Sequence, residues 1–157
     1  MLQKIDDSPA WQAHQELKEV RKYATVLFLE QGRLLTVIQS EKHYEMLGYE
    51  TFTEYLGSPE LSISERSAYR SMLAYRLKIE MGLDEGKMID AGISKLQMIA
   101  PHLEKDNKYE LLNMATTLSR GDLRIRLGQM FNGDGEPEWC TCGSCGHRHL
   151  RRVSDEH

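Results

Sequence analysis

Between Leu61 and Met81 the chain reads LSISERSAYRSMLAYRLKIEM, and no other stretch restricts the fold so tightly. Ser62 and Ser64 can each cap a helix, and Ser62 has Glu65 three residues on, the spacing at which two side chains satisfy the free N–H groups of a first turn. A helix is expected to start near Ser64. Beyond it Ala68, Met72, Tyr75 and Ile79 recur at helical spacing and predict an inward stripe, while Arg66 and Arg70, four apart, fall on another face. One side is built to pack and the other to present guanidinium groups.

The flanking sequence supplies further helices and almost no strand signal. From Ser8, a cap followed by Pro9, the pattern is helical to about Lys42, with Trp11, Leu17, Val20, Tyr23, Val26, Leu27 and Leu34 at intervals of three and four. Gln31-Gly32 either divides this region or sits inside one helix, and the apolar row serves either the core or pairing with a second copy. His43 to Gly57 holds a short helix and then a second one opened by Thr51-x-x-Glu54, whose Phe52, Tyr55 and Leu56 are expected to bury against Ala68 and Met72. Gly82 and Gly92 end helices, Ser94 is expected to cap SKLQMIAPHL, and Pro101 should bend or end it. Leu96, Ile99 and Leu103 are expected on its buried side. Asn107 to Thr117 offers Leu111, Leu112 and Ala115, with Leu118 just beyond, and Ser119-x-x-Asp122 opens a last helix with Leu123, Leu127 and Met130 on one side. The predicted class is all-α.

Ile63 to Met72, ISERSAYRSM, resembles the second helix of a helix-turn-helix: an apolar residue closing the turn, a Ser cap, a small Ala towards the companion helix, then Tyr-Arg. The resemblance implies double-stranded DNA binding, with Ser64, Glu65, Arg66, Ser67 and Arg70 facing the major groove and Tyr69 near the backbone. Such proteins commonly read two half-sites as dimers, and the first helix is the expected homodimer contact. Two departures stand out: Ser62 occupies the place where the tight turn often has Gly, and Gly57-Ser58-Pro59-Glu60 is extra. The segment ISKLQMIAPHLEKDNKYELLNMATTLSRGDLRIRL is similar in pattern to the helical region that follows the motif in ParB-like plasmid and phage proteins. That likeness implies a regulator or accessory factor of a mobile element.

The net charge of −4 argues against indiscriminate nucleic-acid coating, but it is unevenly spread. Residues 1–60 carry six Lys/Arg against ten Asp/Glu, whereas residues 61–83 carry four against two. Specific DNA binding with a shallow salt dependence is the expected consequence. No apolar run approaches the roughly 20 residues of a membrane span, and the N-terminus lacks the order of a secretory signal. A cytoplasmic protein with no membrane contact is expected.

Asn132 to Pro137 reads as an acidic, turn-rich linker, and the tail EWCTCGSCGHRHLRRV carries a second signal. Cys140, Cys142, Cys145, His147 and His149 crowd five zinc-type ligands into ten residues, and a reducing compartment favours zinc over disulfides. The spacing C-x-C-x2-C-x-H-x-H predicts a minimal zinc knuckle, with either His147 or His149 completing the three thiolates. Arg148, Arg151 and Arg152 add a cationic patch for phosphate or an acidic protein partner. The expected organisation is an N-terminal helical region over 1–50, a helix-turn-helix with supporting helices over 51–130, a linker over 131–138, and the knuckle with its basic tail over 139–157. No Gly-rich phosphate loop and no nucleophile with its base is evident, so the chain is not expected to be an enzyme. The alternative to DNA binding is a helical adaptor that docks through its knuckle onto a larger nucleoprotein complex.

Overall fold

The computed structural model describes residues 8–132, 139–141 and 148–150, the last two segments as backbone. These residues are mostly helical, and among them no helix is long and apolar enough to cross a membrane. The chain forms two compact units, Met1–Thr117 and Leu118–His157.

Helix α1 spans Pro9–Ser40 without a break. Ser8 caps it by accepting a hydrogen bond from the Trp11 N–H, and Pro9 occupies its first turn, where a missing N–H costs nothing. Gly32 therefore does not divide the helix. Its absent side chain permits a close crossing instead: a Cβ there would stand 2.0 Å from the Ser71 carbonyl oxygen of α4, which spans Glu65–Met81. Gln31 donates a hydrogen bond to the Ser71 hydroxyl at 3.2 Å, and that hydroxyl donates to the Ala68 carbonyl at 2.8 Å. The crossing buries Thr25, Leu29, Gly32 and Leu35. Trp11, Leu17, Val20, Tyr23, Val26, Leu27 and Leu34, the apolar row read from the sequence, are all exposed. The crossing uses Thr25 and Gly32 together with Leu29 and Leu35, and it is the missing side chain of Gly32 that lets the two backbones approach.

After the short helix α2, His43–Met46, α3 spans Phe52–Leu56. Thr51 caps α3 through the Glu54 N–H, and the Glu54 carboxylate accepts from the Glu50 N–H. Leu35, Phe52, Leu56, Ala68 and Met72 form one buried cluster, flanked by half-buried Ile38, Tyr44, Tyr55 and Ile63. Three helices thus meet at α4. The inward stripe predicted for α4 holds at Ala68 and Met72, is half-buried at Tyr75, and fails at Ile79, which is 60% exposed near the end of the helix.

Gly82 ends α4 in the left-handed conformation, and Asp84 caps α5, Glu85–Ala91, through the Lys87 N–H. Gly92 closes α5 and also precedes α6, Ile93–Ile99, so Ser94 lies inside that helix and does not cap it. Pro101 turns the chain into a short 3-10 segment over Ala100–His102. Leu96, Ile99 and Leu103 are buried, as are Leu111, Leu112 and Ala115 of α7, Lys108–Thr117, which packs against α5 and α6.

In the second unit, Ser119 caps α8, Arg120–Phe131, through the Asp122 N–H. Leu123 and Leu127 are buried, and Arg120, Arg124 and Arg126 are exposed. Strands β1, Trp139–Thr141, and β2, Arg148–Leu150, pair antiparallel with Cys140 opposite His149.

Candidate nucleic-acid interface

The candidate interface is the first two turns of α4. Ser64 is its N-cap: the backbone is extended there, and the hydroxyl accepts from the Ser67 N–H at 3.2 Å. Ser62, the other candidate cap, does different work. It adopts φ 47°, the left-handed region, and its N–H donates to the Ser58 carbonyl at 2.8 Å. The position that commonly holds Gly in such turns thus has the backbone of a glycine with the side chain of a serine. Ile63 then folds back, its N–H donating to the Leu56 carbonyl at 2.9 Å and its side chain resting on the buried cluster. Residues 57–64 are in this way tied to α3 by hydrogen bonds. They make a longer connection than the three or four residues of a usual helix-turn-helix.

Ser64, Glu65, Arg66, Ser67, Tyr69 and Arg70 are all exposed. At about 100° per residue Arg66 and Arg70 stand on the side of α4 away from Ala68 and Met72. Neither guanidinium forms an ion pair among the described residues; those pairs join other groups, such as Arg33 with Glu30 and Lys78 with Glu85. The contrast with Arg33 is direct, because the hydrogen bonds from Arg33 hold the Glu30 carboxyl below its ordinary pKa. Arg66 also sits where a helix least favours a cation, since the positive end of the macrodipole lies in the first turn. An anion placed there would relieve that repulsion as well as meet the free N–H groups.

Tyr69 is the most constrained of the six. Its ring meets Phe52 edge-on at 6.3 Å between centroids, and its hydroxyl accepts from the Gln39 side-chain amide at 3.3 Å. The side chain is thereby held between α1 and α3, although 47% of its surface stays exposed. Gln39 was not evident as part of the site from sequence, because its role depends on α1 and α4 running side by side.

For the metal-type residues, Cys142, Cys145 and His147 lie outside the described residues, as do Arg151 and Arg152 of the basic patch. Cys140 and His149 occupy the facing strands, and the register sets their Cα atoms opposite each other. Among the described residues no group of three or more His, Cys, Asp and Glu is placed to hold a metal ion.

Compared with family models, curated proteins and solved structures, the chain matches none.

Proposed function

We propose that the chain is a sequence-specific double-stranded DNA-binding protein, a regulator or accessory factor of the kind mobile elements carry, whose α4 enters the major groove with Arg66 and Arg70. One observation carries the reading: two exposed guanidinium groups one turn apart, without ion pairs among the described residues, beside a serine-capped helix N-terminus. Arginine reads guanine through a bidentate fork, and the capped terminus suits a phosphate. Tyr69, braced by Phe52 and Gln39, would fix the approach to the backbone, while Ser64, Glu65 and Ser67 line the same end.

Selection from a random duplex library is expected to enrich one motif. Arg66→Ala and Arg70→Ala should each weaken binding to that motif by about 1–3 kcal/mol, with unchanged melting temperature, because both side chains are exposed. A library that enriches nothing would sink the reading. With few phosphates neutralised, the salt dependence should be shallow.

A zinc ion on Cys140, Cys142, Cys145 and either His147 or His149 belongs to the same proposal, supported by the register that sets Cys140 opposite His149. Three cysteines so close together suit a reducing cytoplasm. The second reading is an adaptor docking through that knuckle onto a nucleoprotein complex. Association that survives Arg66→Ala and Arg70→Ala but fails in a Cys140→Ser, Cys142→Ser double variant would select it. Well below one zinc per chain in reduced, chelator-free protein would remove the metal from either reading.

A further inference from the structure

Arg70 also lines a cleft of about 210 Å³ between α4, α5, α6 and the 3-10 turn that DNA binding does not use. Ala74, Met88 and Leu96 form its buried walls, and Ala100 lines it near the turn. Two alanines in walls otherwise made of larger apolar side chains leave a hollow that a close-packed core would have filled. A dry apolar cavity of roughly 150 Å³ already accommodates benzene, so this one takes a ring with a short chain.

Polar residues are few in the lining: Arg70, exposed and without an ion pair among the described residues, and the half-buried Gln97. An apolar hollow with one fork-shaped cation selects a ligand of matching parts, since guanidinium binds carboxylate through two parallel hydrogen bonds. A neutral hydrocarbon would leave the cation unused, and a polyanion would find no second charge in the lining.

We propose that this cleft binds a small apolar carboxylate, with its hydrocarbon body in the hollow and its carboxylate on Arg70. Since the same guanidinium is assigned to DNA, occupancy withdraws it from the groove and lowers duplex affinity. This second half rests on the DNA-binding reading.

Isothermal titration of the full chain, without DNA, with 4-phenylbutyrate and with the uncharged 4-phenylbutan-1-ol tests the site. The acid is expected to bind saturably and at least about tenfold tighter than the alcohol, the size of one charge-assisted contact. Arg70→Gln should erase that preference, and Ala100→Leu should abolish binding of both. Arg70→Gln lies at an exposed position and keeps the test decisive even if Ala100→Leu fails to fold. No saturable binding of the acid, equal affinities in the unaltered chain, or a preference that survives Arg70→Gln would each overturn the site. On the selected duplex, saturating acid should weaken binding several-fold. Unchanged duplex affinity overturns the withdrawal, whereas a chain that binds the acid and selects no duplex overturns the DNA reading alone.

Discussion

Gly32 shows how much of the packing rests on a single missing side chain. With Ser71 backbone atoms at 2.0 and 2.5 Å from where its Cβ would lie, nothing flexible can give way, and Gly32→Ala must push α1 and α4 apart. Helix propensity works the other way, since alanine gains up to about 1 kcal/mol over glycine in a helix interior. The steric term should win, and the variant is expected to lose roughly 1–3 kcal/mol in urea unfolding. Gly128→Ala is the control: among the described residues its Cβ would meet only the Asn132 side-chain amide at 3.9 Å, so propensity should dominate and stability should rise. From sequence, Gly32 could end one helix or sit inside another, because a glycine reports permission for close approach without naming what approaches. Arg66 and Arg70 were more legible. Their spacing against Ala68 and Met72 placed them on the outer side before any partner helix was known.

Among the elements, the boundaries written in side chains were the ones that sequence revealed. Ser8, Thr51, Ser64 and Ser119 each cap the helix they precede, and Gly82 and Gly92 end theirs, because capping is a contact between near neighbours in the chain. Ser94 failed for a local reason, since Gly92 starts the helix two residues earlier than a cap at Ser94 would. The buried face of α1 was not legible: the seven apolar residues of its periodic row are exposed, while Thr25 and Gly32 are buried. Periodicity locates an apolar row, not the element that covers it. The turn between α3 and α4 gives an element-scale test. A non-glycine residue in the left-handed region costs about 1–2 kcal/mol, and glycine's own entropy cost of roughly 0.5–1 kcal/mol offsets part of that. The Ser62 hydroxyl reaches the Ser58 carbonyl only at 3.5 Å, so little is lost with it. Ser62→Gly is expected to raise the melting temperature slightly, and Ser62→Val to lower it, because β-branching tolerates this backbone least.

On the scale of the molecule, the exposed row on α1 poses the largest unmet demand. The helix is about 48 Å long at 1.5 Å per residue, yet α4, at 17 residues, can run beside only about half of it. Before Thr25 no residue of α1 is buried, and an unsupported helix of that length is marginal in water. Val20, Leu27 and Leu34 nevertheless fall at strict seven-residue spacing on its outer side, with Tyr23 three residues after the first and Val37 three after the last. This is the seam along which helices pair, broken once by Glu30, which is occupied with Arg33. A second copy of the same helix would supply the complementary row and add a second α4, the arrangement by which a two-fold protein reads two half-sites. Sedimentation equilibrium is therefore expected to give a dimer at micromolar concentration. Leu27→Glu should yield monomers whose affinity falls far more on a duplex with two half-sites than on one with a single half-site, because only the former uses both copies. The substitution leaves the α1–α4 crossing intact, since Leu27 is 68% exposed and lies away from Thr25, Leu29 and Gly32. A dimer that persists in Leu27→Glu would move the contact elsewhere, and an unaltered chain that sediments as a monomer would leave α1 without its proposed partner.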